Sequence, residues 1–131
     1  MELTYGRYLK VEELLQLQQP LSEGPEHDEM LFIIIHQVYE LWFKQILHEL
    51  EKLKSSFQEG ERGKALHTLK RIRSILKVLV SQVDVLETMT PLEFLSFRER
   101  LQSASGFQSC QFRELEFCLL YTSPSPRDLA V

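Results

Sequence analysis

The feature that most constrains the fold is a helical hydrophobic period that runs without interruption over residues 28–58. Its apolar positions recur three or four residues apart, at Leu31, Ile34, Ile35, Val38, Leu41, Trp42, Ile46, Leu50, Leu53 and Phe57. This spacing places the side chains along one face of an α-helix. The pattern therefore predicts one long amphipathic helix, about 45 Å in length if it is straight.

A second long helix is predicted over residues 64–86, directly after a short connection that contains Gly60 and Gly63. Its apolar positions are Leu66, Leu69, Ile72, Ile75, Leu76, Leu79, Val83 and Leu86. Either glycine can take the left-handed conformation that ends a helix, and a connection this short favours an antiparallel pair. Because little period-two alternation occurs elsewhere, we predict an all-α fold, a helical bundle built on two long antiparallel helices.

Shorter helices are predicted on both sides of this pair. One covers residues 8–18. Another starts at Pro91, where residues 90–93 form a Thr-Pro-Leu-Glu capping box, and ends near residue 101. A last helix covers residues 107–117.

The end of the chain, from Cys118 onward, departs from the helical pattern. It has no helical period and contains Pro124 and Pro126, which cannot continue a helix. Its first eleven residues are identical to the translation of a transposase-type sequencing adapter, which predicts that residues 118–131 are a non-native tail and that residues 1–117 carry the fold. The alternative is a natural disordered tail rich in serine and proline.

Composition argues against several functional classes. The 131 residues fit one domain, and the net charge of −4, mixed in sign, lacks the clustered Lys and Arg of a nucleic-acid-binding surface. No apolar run reaches the roughly 18 residues of a membrane span, and the first residues lack a secretory signal, so we expect a cytoplasmic location. Cys110 and Cys118 form neither a metal-ligand spacing nor a disulfide framework, which agrees with a reducing compartment.

The most informative candidate residue is His36, which lies in the aromatic-rich run of residues 32–45. Helical spacing places it on one stripe with Phe32, Tyr39 and Phe43. An imidazole there without a protein partner would be a neutral group that accepts a hydrogen bond from a ligand N–H or relays a proton. The alternative is a structural histidine bonded to a backbone carbonyl.

A second candidate is Arg98, which lies four residues after Phe94 on the helix that starts at Pro91. This spacing places a guanidinium beside an aromatic wall, and arginine binds a carboxylate through two parallel hydrogen bonds. The alternative is an ion pair with Glu93, with Glu99 or with an acidic side chain on one of the two long helices. No metal site is predicted, because the remaining histidines are scattered on polar faces.

Several ordered motifs over residues 3–117 resemble the tryptophan 2,3-dioxygenase family. They include Leu-Thr-Tyr-Gly-Arg-Tyr-Leu at residues 3–9, His-Asp-Glu-Met-Leu-Phe-Ile-Ile-Ile-His-Gln at 27–37 with its continuation to 45, Leu-Glu-Thr-Met-Thr-Pro at 86–91, Phe-Arg at 97–98, Ser-Gly-Phe-Gln-Ser at 105–109 and Gln-Phe-Arg at 111–113. The resemblance implies the amino-terminal part of a haem dioxygenase fold. An indoleamine-type dioxygenase would share the chemistry but lacks the tyrosine motif at residues 3–9.

The resemblance implies a haem b enzyme of the kynurenine pathway, a homotetramer that inserts both atoms of O2 into L-tryptophan to give N-formyl-L-kynurenine. The proximal histidine of the haem iron is expected in a carboxy-terminal half that this chain does not contain, so the chain alone is expected to bind haem poorly and to be inactive. The alternative, from a different class, is a non-enzymatic helical interaction domain. The two differ in whether His36 and Arg98 converge on one cavity.

The same resemblance implies roles for individual residues. His36 would accept a hydrogen bond from the indole N–H as the catalytic distal residue, and Arg98 would bind the substrate carboxylate. Other substrate contacts would come from Phe32, Ile33, Ile34, Ile35 and Phe94 and, in the pocket of a neighbouring subunit, from Tyr5, Tyr8 and Leu9. Ser105 and Gly106 would border the haem.

Overall fold

The computed structural model describes residues 2–22, 24, 26–98 and 108–121. Its regular structure within those ranges consists of helices: α1 (Tyr5–Leu9), α2 (Val11–Leu14), α3 (Asp28–Gln58), α4 (Arg62–Leu86), α5 (Pro91–Arg98) and α6 (Cys110–Tyr121). The all-α prediction is therefore confirmed. None of the helices in those ranges is long and apolar enough to cross a membrane.

Helices α3 and α4 form the long antiparallel pair that the sequence predicts. The Tyr39 hydroxyl donates a hydrogen bond to the Leu79 carbonyl at 3.1 Å, while Arg71 forms an ion pair with Glu49 at 3.2 Å. Residue numbers thus rise along α3 as they fall along α4. Gly60 provides the reversal, because its φ of +71° is readily available only to a residue without a Cβ.

The core lies between α3, α4 and α6. Its buried side chains are Ile46 from α3, Ile72, Ile75 and Leu79 from α4, and Leu115 from α6. The α4 positions are three or four residues apart, as expected for the inward face of a helix. Each fully buried side chain of this size contributes about 1.5–3 kcal/mol of hydrophobic free energy.

Besides Leu115 in the core, helix α6 contacts the middle of α3 through a polar side chain, Gln111, and an aromatic one, Phe112. The Gln111 amide nitrogen donates to the Glu40 carbonyl at 2.9 Å and to the Glu40 carboxylate at 2.8 Å. Beside this contact, the rings of Phe43 and Phe112 lie 5.7 Å apart. Helix α6 therefore contacts Phe43, the last residue of the aromatic stripe of α3.

The amino terminus differs from the single helix predicted over residues 8–18. It forms α1 and α2, which are separated at Lys10, where φ is +53°. Helix α1 starts early because the Thr4 hydroxyl accepts a hydrogen bond from the Arg7 N–H, a side-chain cap. It ends at Leu9 because the Lys10 N–H turns back to the Gly6 carbonyl.

The carboxy-terminal helices also differ in part from the prediction. The Thr90 hydroxyl accepts from the Glu93 N–H at 3.2 Å, which confirms the predicted cap of α5. Helix α6 ends at Tyr121 and so includes the first residues of the predicted tail, since the prolines that forbid a helix come only at Pro124 and Pro126. Residues 122–131 lie outside the described ranges, and the non-native origin of residues 118–131 stays a prediction.

Candidate functional site

Four rings meet where α5 crosses the amino-terminal half of α3; we call Phe32, His36, Phe94 and Phe97 the aromatic cluster. The Phe32 ring lies 4.2 Å from that of His36, 5.8 Å from Phe94 and 5.6 Å from Phe97. Phe94 and Phe97 meet edge to face at 5.5 Å. These separations are typical of favourable aromatic pairs, so the cluster joins two helices that are distant in sequence.

The His36 ring has a fixed hydrogen-bonding arrangement. Its Nδ1 lies 2.7 Å from the Phe32 carbonyl oxygen one turn earlier on α3. A carbonyl only accepts hydrogen bonds, so Nδ1 carries the hydrogen and, in the neutral ring, Nε2 is an acceptor. The hydrogen bond to a backbone carbonyl, which is expected of a purely structural histidine, is therefore present. It uses only Nδ1, so Nε2 can still accept a hydrogen bond from a ligand.

The aromatic stripe continues along α3 beyond the cluster. The Tyr39 ring lies 6.4 Å from His36 and is stacked with Phe43 at 6.1 Å. The predicted stripe of Phe32, His36, Tyr39 and Phe43 is thus a continuous row of rings. Partial burial raises the pKa of the Tyr39 hydroxyl above its usual value, because the charged phenolate would be poorly solvated there.

Arg98 lies on α5 one turn after Phe94, as its spacing predicts. Phe94 is half-buried in the cluster, whereas the Arg98 side chain is exposed. Among the described residues no hydrogen bond or ion pair holds the guanidinium, so the ion pair with Glu93 is not formed. The binding of a carboxylate by Arg98 stays a prediction.

The other predicted site residues lie in different surroundings. Ile35 is buried, Ile33 is half-buried and Ile34 is exposed, because consecutive helical residues point about 100° apart. At the amino terminus, Tyr5, Tyr8 and Leu9 are 78%, 71% and 46% exposed. No ring contact joins them to the aromatic cluster in the described part of the chain. Ser105 and Gly106 lie outside the described residues.

Sequence reasoning missed Phe97 as a member of the cluster. Its side chain is fully buried between Phe32 and Phe94, and it is one of the largest buried side chains in the described ranges. A signal was present, since Phe97 follows Phe94 by three residues and must share its helix face. The distance of more than sixty residues to Phe32 gave no indication of their contact.

The described residues do not form a metal site. No group of three or more His, Cys, Asp or Glu side chains among them could hold a metal ion. His27, His48 and His67 are all exposed and stand on separate parts of the chain. His36 is the one histidine that belongs to the aromatic cluster.

These features define a helical protein in which a long antiparallel pair carries an aromatic-walled histidine site. The family model described as tryptophan 2,3-dioxygenase matches residues 1–125. Curated proteins named tryptophan 2,3-dioxygenase are also similar to the chain. The chain is 63% identical to one from Herpetosiphon aurantiacus over 94% of its own length, and 52% identical to one from Aedes aegypti over 87%. The chain belongs to the tryptophan 2,3-dioxygenase family.

The chain spans only part of these relatives. It covers 47% of the length of the Herpetosiphon aurantiacus protein, 43% of one from Anaeromyxobacter sp. strain K, to which it is also 63% identical, and 31% of the Aedes aegypti protein. The aromatic cluster thus lies in a region that corresponds to less than half of each of these relatives.

Proposed function

We propose that the whole protein to which this chain corresponds is a haem-dependent dioxygenase that oxidises L-tryptophan with O2 to N-formyl-L-kynurenine. In this proposal the chain contributes the substrate-facing wall of the active site. The observation that carries it is the aromatic cluster, in which the Nε2 of the neutral His36 ring is an acceptor. The exposed guanidinium of Arg98 follows Phe94 by one turn on α5. Family membership supplies the substrate and the reaction.

The chemistry of tryptophan matches this arrangement at two ends. Its indole is a flat apolar ring that packs on phenylalanine rings such as Phe32 and Phe94, and its single N–H is a donor suited to Nε2 of His36. Its carboxylate is suited to the planar fork of Arg98. A ligand held at both ends is oriented before it reacts, and such positioning is itself a large contribution to catalysis.

A bound haem would supply the activation of O2. The residues of the aromatic cluster suit the substrate side of such a group, because their one histidine, His36, is bonded through Nδ1 to the Phe32 carbonyl, while His27, His48 and His67 are exposed and lie outside the cluster. We therefore assign the axial ligand to the part of the whole protein beyond this chain. What these residues do is bind, orient and shield the indole.

We also propose that the whole protein is a homotetramer and that it is located in the cytoplasm. Tyr5, Tyr8 and Leu9 are large, exposed side chains on a short helix without a buried residue, and a neighbouring subunit of a homotetramer would cover them. In this proposal they line that subunit's pocket. The kynurenine pathway and a cytoplasmic location follow from the same family assignment.

A chimera tests the proposal. Residues 1–117 replace the matching part of the Herpetosiphon aurantiacus relative, and Arg98→Ala and His36→Ala are compared with the unsubstituted chimera. Arg98→Ala should raise the KM for L-tryptophan at least tenfold, because it removes a charged, bidentate contact. His36→Ala should lower kcat more moderately, since Nε2 orients the ring rather than acting as a strong base. Unchanged steady-state kinetics in both variants would contradict the assignment.

A non-enzymatic interaction domain remains the second candidate, and the many exposed apolar side chains, such as Leu41, Phe57 and Val80, favour it. The chimera separates the two. An interaction domain would leave the chimera without tryptophan turnover while the chain still folded.

A further inference from the structure

Glu29 is a buried carboxylate that the aromatic cluster does not use. It lies in the first turn of α3 and is 1% exposed. Its two oxygens accept hydrogen bonds from the backbone N–H groups of Leu21 and Ser22, each at 3.0 Å, and from the Ser22 hydroxyl. Burying a carboxylate is unfavourable unless it is hydrogen-bonded, and bonds to a charged acceptor are stronger than neutral ones. Glu29 therefore fixes two consecutive backbone positions.

Gln37 forms a second attachment two turns further along α3. Its side-chain oxygen accepts from the Gln18 amide at 2.8 Å, and its nitrogen donates to the Leu17 carbonyl at 3.0 Å. Gln37 is half-buried, so water can replace these bonds more readily than those of Glu29.

The spacing of the two attachments defines the path of the chain between them. Eight residues of α3 separate Glu29 from Gln37, which is about 12 Å along the helix axis. Four residues of extended chain cover about 13 Å. Residues 17–22 therefore run extended and antiparallel to α3, and we call them the pinned segment.

The residues before the pinned segment, 2–16, form an arm that the core does not hold. Neither α1 nor α2 contains a buried residue. The large apolar side chains of the arm are exposed, including Leu3 at 73%, Tyr5 at 78%, Tyr8 at 71% and Leu15 at 69%. The direction in which the arm leaves α3 is thus set by the hydrogen bonds of the pinned segment.

We propose that Glu29 is a positioning residue that fixes the pinned segment and thereby sets where Tyr5, Tyr8 and Leu9 enter the pocket of a neighbouring subunit. The attachment at residues 21 and 22 follows from the hydrogen bonds that Glu29 accepts from Leu21 and Ser22, and it does not depend on the proposed function. The role of the delivered side chains rests on the proposed function. The two parts are tested by different measurements.

Hydrogen exchange of the 131-residue chain tests the attachment. Glu29→Gln keeps the size of the side chain but replaces one acceptor oxygen by a donor, so the amides of Leu21 and Ser22 should exchange about tenfold faster. Amides in the middle of α4 should be unaffected. The control is Glu51→Gln, the same substitution at an exposed position of α3. Ser22→Ala, which removes one donor and keeps both backbone bonds, should give a smaller increase.

Unchanged exchange at residues 21 and 22 in Glu29→Gln would overturn the attachment. So would an equal increase throughout α3 and α4, since that would make Glu29 a residue of general stability only.

Steady-state kinetics of the chimera test the positioning role. Glu29→Gln should raise the KM for L-tryptophan severalfold with a smaller change in kcat, while Glu51→Gln leaves both unchanged. Faster exchange of the pinned segment with an unchanged KM would overturn the positioning role. A chimera that does not turn over tryptophan at all would refute the proposed function and the positioning role with it, whereas exchange would still decide whether Glu29 holds the segment.

Discussion

Two residues of the aromatic stripe on α3, His36 and Tyr39, each pack against a phenylalanine ring and form one hydrogen bond through the side chain. His36 lies against the Phe32 ring and donates to the Phe32 carbonyl, while Tyr39 lies against Phe43 and donates across to Leu79 on α4. A buried polar group is unfavourable unless it has such a partner. The stripe can therefore carry an imidazole and a phenol through largely apolar surroundings.

Tyr39→Phe should lower the free energy of unfolding by about 1 kcal/mol at neutral pH, because it removes the hydrogen bond to Leu79. The pKa of Tyr39 is raised above 10.0 in the folded chain by burial. The proton on its hydroxyl therefore stabilises the fold below that pH, and this contribution is lost as pH rises through the higher folded value.

Denaturant titrations between pH 7 and 11 measure this effect as the difference between the wild-type chain and Tyr39→Phe. The difference should stay constant up to about pH 10 and shrink above it. Tyr8→Phe, at an exposed tyrosine, should leave stability unchanged. A difference that grows with pH would contradict the prediction.

At the scale of elements, sequence reasoning succeeded where period and turn chemistry agreed. Helix α3 has the predicted bounds, because its hydrophobic period begins after a polar connection and ends before Gly60. The break between α1 and α2 could not be predicted, since lysine carries no preference for the positive φ found at Lys10. The burial of Glu29 was also beyond prediction, because glutamate is normally an exposed residue.

The candidate site was predictable only where it depends on local helical spacing. The helical stripe around His36 and the spacing of Phe94 and Arg98 follow from local periodicity. The approach of α5 to α3 and the place of Phe97 between them do not, because they depend on tertiary contacts between segments that are far apart in sequence.

Helix α6 depends on Gln111 for its register on α3. Gln111→Leu removes both hydrogen bonds to Glu40 while Leu115 and Phe112 keep their packing, so stability should fall by about 1–2 kcal/mol. Hydrogen exchange should become faster in α6 and stay unchanged in the middle of α4. Gln58→Leu, at the exposed end of α3, is the matched control. An equal response of α4 and α6 would contradict a local role for Gln111.

At the scale of the whole molecule, the structure brings aromatic side chains of α3 and α5 together, and no group of three or more His, Cys, Asp or Glu side chains among the described residues could hold a metal ion. The aromatic cluster joins α3 to α5, but the other histidines lie exposed at separate positions.

The 131-residue chain should bind haem poorly or not at all, so that no stoichiometric Soret band forms. It should also not turn over L-tryptophan. The physical reason is that His27, His48 and His67 are exposed and dispersed. Titration with haemin, followed by absorption spectroscopy, measures this, and the chimera serves as the positive control. A saturable one-to-one complex with turnover would show that a histidine of this chain is the axial ligand, and alanine variants of the three would identify it.

The hydrogen bond between His36 and the Phe32 carbonyl has a consequence for the evolution of the site. The group that decides which ring nitrogen is protonated is a main-chain atom, so substitution of the side chain at position 32 cannot remove it. A substitution of Phe32 would change the ring contacts of the aromatic cluster while the carbonyl that orients His36 remained in place.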